Sequence, residues 1–165
     1  MTDPNVFAPE WEPGTPPGLR GARVGAAAGA GELGATVYEL EPGAAVSPYH
    51  LHHANEELLV VLSGRPAVRT PDGVRRLEPG AVVAFPAGQD GTHRVSNPDG
   101  DPARVLLVST MRFPDVCEHL STGATLVMPE PGAGKLFRDE APFMEAYTAA
   151  MELDAAEDQR GLSTS

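Results

Sequence analysis

Between Ala35 and Met111 the apolar residues fall into short β-branched and aliphatic runs at residues 35–40, 58–62, 66–69, 74–77, 81–85 and 104–109. Pro-Gly, Ser-Gly, Asp-Gly and Asn-Pro pairs separate them. Runs this short at this spacing predict an antiparallel barrel or sandwich rather than alternating strands and helices. Thr70-Pro71-Asp72-Gly73 is a hairpin turn signal inside the pattern, because Pro presets one turn dihedral and Gly accepts a positive φ.

Outside this stretch the pattern changes. Pro4, Pro9, Pro13, Pro16 and Pro17 break any helix and remove ladder donors, so residues 1–34 read as an irregular arm, with Trp11 anchoring it to the body. Residues 25–34 are mostly Gly and Ala and read as a loop; no Lys-Ser/Thr ending makes them a phosphate loop. After Pro129 a Gly/Pro-rich link leads to residues 141–158, where Phe143, Met144, Tyr147 and Met151 stand near helical spacing. The expected units are therefore the arm at 1–34, a barrel at 35–128, and a linker with a short amphipathic helix at 129–165. No internal repeat is visible, which leaves no second barrel.

A chain of 165 residues suits one core. Its formal net charge of −11 opposes phosphate backbones and anionic headgroups, so no nucleic-acid or membrane partner is expected. Cys117 is the single cysteine and cannot form an internal disulfide; no secretory start and no apolar stretch of bilayer length is present. A cytoplasmic setting is the expectation.

Three histidines and one carboxylate change the picture from fold to chemistry. His50 and His52, two apart in a strand, project from one face and can reach one ion. Residues 53–56 (His-Ala-Asn-Glu) make a turn, after which Glu57 opens the run 58–62 and can face back; Glu56 is the fallback. His93, after the turn signal Pro86-Ala87-Gly88, can complete the set. The competing reading makes these residues hydrogen-bonded core histidines of a barrel that binds no metal. His53 reads as an exposed turn residue, and His119 with Cys117 as a loop pair rather than a second site.

The spacing resembles the cupin superfamily, whose first motif is G-x5-H-x-H-x3 or 4-E-x6-G and whose second is G-x5-P-x-G-x2-H-x3-N. Here the first reads Gly43, six residues, His50-Leu51-His52, four residues, Glu57, six residues, Gly64. The second reads Gly80, five residues, Pro86-Ala87-Gly88, four residues, His93, three residues, Asn97. One extra residue after Gly43 and two before His93 depart from the pattern, in turns where insertions cost little. The resemblance implies an all-β antiparallel jelly-roll β-barrel and a metal held by His50, His52, Glu57 and His93.

Neutral imidazoles and a carboxylate suit one divalent transition metal (Fe, Mn, Ni, Zn, Co or Cu), and four ligands on a six-coordinate ion leave two positions open. A structural zinc site would be closed and rich in cysteine. The ion with one carboxylate keeps about one positive charge and favours a small oxygen-bearing anion. Similar cupins imply a metal-dependent dioxygenase, or an isomerase or lyase working through an enolate; the alternative is a non-enzymatic module that binds or senses a small molecule or a metal. No acid/base partner is identifiable, and Arg65, Arg69, Arg75, Arg94 and Arg104 are candidates to orient a carboxylate with solvated strand edges as the plainer role. Tyr49 reads as packing. The apolar run 58–62 and the C-terminal helix point to a homodimer.

Overall fold

In a computed structural model, which describes residues 3–13 and 16–138, the apolar runs are strands. In chain order they are β1 (Leu19–Ala22), β2 (Gly34–Leu40), β3 (His50–His52), β4 (Glu57–Ser63), β5 (Ala67–Thr70) and β6 (Gly73–Arg76). There follow β7 (Val82–Phe85), β8 (Arg94–Ser96), β9 (Ala103–Ser109), β10 (Asp115–His119), β11 (Ala124–Met128) and β12 (Lys135–Phe137). One helical turn, α1 (Val24–Ala27), follows β1. Both β1 and α1 lie in the stretch read as irregular: β1 has too few residues to show a period, but it gains a ladder by pairing Gly21 with Tyr38 and Ala22 with Val37. The C-terminal helix expected at 141–158 lies outside the described residues.

The strands form three antiparallel sheets, ordered β1-β2-β9-β4-β7, β12-β11-β10-β3 and β6-β5-β8. None closes on itself among the described residues, and the architecture is mostly β, built of antiparallel sheets. An isolated bridge His50↔His93 links the second sheet to the residue before β8 of the third, and another, Ala45↔Ser96, holds the loop before β3 against β8.

Alternation explains the core. Leu59 and Val61 of β4 point inward at 0% and 1% exposure, with Val105 and Leu107 of β9 beside them. Val68, Leu77, Phe85 and Val95 join this cluster from the other elements. Each such side chain contributes about 1.5–3 kcal/mol relative to an exposed position. The opposite face of β4 carries Leu58, which is 38% exposed.

The turns follow their sequence signals. Thr70 pairs with Gly73 across the two-residue loop Pro71–Asp72. Gly64 has φ +73° and stands so near Ala103 that a Cβ would lie 2.6 Å from its Cα, so both conformation and close approach require glycine there. Asn97 is fully buried and donates from Nδ2 to the carbonyls of Leu40 and Asp101, which ties the end of β2 to the loop before β9.

Trp11 does anchor the arm. The Arg20 and Arg104 guanidinium groups lie 4.9 and 5.3 Å from its ring centroid, and both arginines pair with Glu39.

Candidate metal centre

His50 and His52 alternate with buried Leu51 on β3, so their rings leave the strand on one side. Glu57 is the first residue of β4, and its row runs across the sheet through Ser109 and Phe85. His93 is fixed by mutual backbone bonds with His50, from each N–H to the other's carbonyl. Its ring stacks on Phe85 with centroids 3.8 Å apart and planes 4° from parallel. Gly91, two residues earlier, is pressed against the Pro86 carbonyl, which turns the chain into His93.

The four side chains meet. His50 Nε2 is 3.2 Å from His52 Nε2, His52 Nε2 is 3.6 Å from Glu57 Oε2, and His93 Nε2 is 3.2 Å from the same oxygen. Ligand atoms of His50, Glu57 and His93 all lie within 4.8 Å of one another.

The outer ring nitrogens decide what these atoms offer. His50 Nδ1 is 2.9 Å from the Pro48 carbonyl and His93 Nδ1 is 2.8 Å from the Gly91 carbonyl; a carbonyl only accepts, so both Nδ1 atoms carry the proton. His52 Nδ1 is 2.6 Å from Asp115 Oδ2 and likewise donates. In neutral imidazoles this tautomer leaves the three Nε2 lone pairs facing one another and a carboxylate. Electron-rich groups this close repel unless a cation lies among them, so the donor set fits a metal ion, with three borderline nitrogens and one oxygen.

Electrostatics agree. Burial, and after it the His93 and His52 rings, push His50 down to about 4, so it is neutral at physiological pH. For Glu57 burial acts upward, but in acid, once the imidazoles gain a second proton, a hydrogen bond from His93 and the charges of His52, His93 and His50 outweigh it and hold the carboxyl below its ordinary value. The same holds at Asp115, where hydrogen bonds from Asn55, His52 and the Ala54 N–H overcome burial.

Glu56, the alternative acid, is exposed. His53 is also outside the cluster, half exposed and bonded to Glu118. Cys117 and His119 do not lie in a loop, as the sequence suggested. They stand on β10, paired with His52 and His50, and the Cys117 sulfur is within 4.8 Å of ligand atoms on both histidines. Burial, followed by Asp115, Glu57 and Glu118, pushes the thiol up to about 12, so with no cation beside it the thiol stays protonated.

A cavity of about 420 Å³ opens over the cluster between the five-stranded and four-stranded sheets. Thr36, Tyr38, Leu107, Ser109 and Met111 line it. None of the five arginines considered from sequence does. Arg65 pairs with Glu78, Arg104 with Glu39, and Arg69 lies 4.0 Å over the Tyr49 ring, which makes Tyr49 a packing residue. The arginine in the lining is Arg23. Sequence reading missed it, together with Asp115 and Tyr38, because each enters the site through sheet pairing rather than through a local motif.

Comparison with known proteins now bears on the fold. The family model described as a Cupin domain matches residues 36–109, the stretch that holds all four converging side chains. Over that stretch the chain is cupin-type. The structure also resembles a sugar phosphate isomerase of the cupin superfamily from Silicibacter pomeroyi, at 24% identity and TM-score 0.73, covering 85% of this chain and 94% of that one. A provisionally assigned sugar phosphate isomerase from Acidithiobacillus ferrooxidans matches at 27% identity and TM-score 0.66, covering 73% and 76%. The polyketide cyclase RemF from Streptomyces resistomycificus matches at 24% identity and TM-score 0.56, covering 70% and 83%. No curated protein matches the sequence.

Proposed function

We propose that His50, His52, Glu57 and His93 hold one divalent transition metal and that the cupin isomerises or cleaves a small, oxygen-bearing anion bound in the cavity above it. The observation that carries this reading is the meeting of the His50, His52 and His93 Nε2 atoms with the Glu57 carboxylate, with each Nδ1 already hydrogen-bonded elsewhere. The likeness at 27% identity to a provisionally assigned sugar phosphate isomerase supports a hydroxy-carbonyl ligand.

When bound, the ion supplies Lewis acidity toward a ligand oxygen. The chain supplies the rest. Leu107, Val95 and Met111 give the cavity apolar walls, which strengthen polar contacts beside them. Burial, then Glu57, raises Tyr38 above the ordinary phenol range, so its hydroxyl keeps its proton and acts as a donor, not a base. Asp115 holds the His52 ring in its donor-out tautomer.

The test is hydrogen exchange in D2O. The Mn(II)-, Co(II)- or Zn(II)-loaded protein should exchange the C–H next to the carbonyl of a hydroxy-carbonyl phosphate, and Glu57→Ala should abolish this. Tight binding without exchange would favour the binding or sensing module, and oxygen uptake with Fe(II) the dioxygenase.

We also read the stacked sheets as a jelly-roll barrel spanning residues 35–128 and the protein as a cytoplasmic homodimer. Leu58 and Val82, 38% and 60% exposed on the outer face of the five-stranded sheet, support self-association. Light scattering of Leu58→Asp should show monomers where the parent is dimeric.

A further inference from the structure

We propose that Arg23 receives a distal phosphate or carboxylate of a ligand whose oxygen-bearing head lies against His50, His52, Glu57 and His93; this rests on the metal reading of the site. Arg23 is the one lysine or arginine among the described residues that line the cavity. It follows β1, where Gly21 pairs with Tyr38, and alternation returns Arg23 to the face of Tyr38 and Thr36, both of which line the same space.

Its hydrogen bonding leaves the useful edge open. Arg23 Nε donates to both Glu12 carboxylate oxygens, at 3.0 and 2.9 Å, and the Arg23 backbone N–H donates to Oε1 at 3.1 Å. Glu12 itself is tied to the sheet by its N–H on the Gly21 carbonyl. The guanidinium is thus held by its Nε edge, while neither Nη atom has a hydrogen-bond partner among the described residues. A planar fork with two free amino groups matches the paired oxygens of a carboxylate or phosphate.

Folding does not explain this charge. The Arg23 side chain is 72% exposed, and an exposed ion pair of this kind adds little stability. The chain carries a net charge of −11, so an anion entering the cavity meets general repulsion, and the Nη donors of Arg23, whose charge is shared with Glu12, are the cationic group in the lining that can offset it. A cavity of about 420 Å³ lies near the small end of ligand sites and suits a short bifunctional molecule.

Calorimetric titration with glycerate, malate and 3-phosphoglycerate tests the proposal, because the three share a 2-hydroxy acid head and differ in a neutral, carboxylate or phosphate tail. With Zn(II)-loaded protein, at least one charged tail should tighten binding about tenfold over glycerate, the size expected of a partly exposed charge-assisted pair. Which tail gains more identifies the anion. Arg23→Gln should erase the margin with glycerate affinity unchanged, Arg23→Lys should keep part of it, and Arg65→Gln should keep all of it. A margin that survives Arg23→Gln, an equal loss in Arg65→Gln, or no margin in the parent overturns the inference. The same series after chelation separates the two readings: head-group binding that ignores metal removal sinks the metal assignment, while the tail margin still reports on Arg23. Failure of every probe to bind overturns both.

Discussion

His52 Nδ1 donates a 2.6 Å hydrogen bond to Oδ2 of Asp115, a residue 63 positions later in the chain and completely buried. The other oxygen of Asp115 accepts from the Ala54 N–H at 2.9 Å, so one carboxylate fixes both the ring of His52 and the turn leading to Glu57. Asn55 clamps the same region by donating to the Arg112 carbonyl and accepting from its N–H. Asp115 is a positioning residue for the cluster.

Replacing it should weaken the site without emptying the fold. Asp115→Asn keeps the size and one acceptor but turns its NH2 toward a donor, either the Ala54 N–H or the His52 Nδ1–H. Metal affinity, read by chelator competition, should fall about 10–100-fold, the usual cost of losing such a partner. Unchanged affinity with an unchanged circular dichroism spectrum would mean that the contact does not orient His52.

Acid should destabilise the metal-free protein. His50 is pushed from 6.5 down to about 4, so between those values the unfolded chain binds a proton that the folded chain does not. Stability from this group is complete above about 6.5, declines as pH falls toward about 4, and changes no further below it. Glu57 and Asp115, both held below their ordinary values, withdraw their contribution at still lower pH. Urea midpoints of chelated protein should therefore drop from pH 7.5 to pH 5; a flat profile would contradict the neutral, buried imidazole.

Gly91 is required by space. A Cβ there would lie 1.6 Å from the Pro86 carbonyl oxygen, and the Gly91 carbonyl is the acceptor for His93 Nδ1. Gly91→Ala must move this backbone, at a cost of about 1–3 kcal/mol or more by analogy with overpacked cores. Metal affinity should fall together with the thermal midpoint, and a stable variant with full affinity would show that the turn has room to relax.

The strands and the four converging residues were legible because they depend on local signals: period-two alternation, Gly and Pro at turns, and two histidines two apart. The strand at Leu19–Ala22 was not, because Pro16, Pro17 and Gly18 precede it and only pairing with β2 makes it a strand. Asp115 and Arg23 were hidden for a similar reason. Asp115 stands beside Cys117 and His119, which read as a loop pair, and it reaches His52 only because β10 pairs with β3. Arg23 sits in a Gly/Ala stretch and gains meaning only when β1 brings it beside Tyr38. The five arginines weighed from sequence lay on strands whose facing direction depends on register, which the pattern alone does not give.

Metal content of the purified protein, measured by elemental analysis beside His52→Ala and His93→Ala, tests the central claim most directly. Imidazoles that already point their lone pairs inward should hold close to one equivalent of a divalent transition metal per chain, and each substitution should remove most of it while the strand content is kept. Parent protein that stays metal-free after dialysis against Mn(II), Co(II), Ni(II) and Zn(II), or variants that retain the full equivalent, would contradict it.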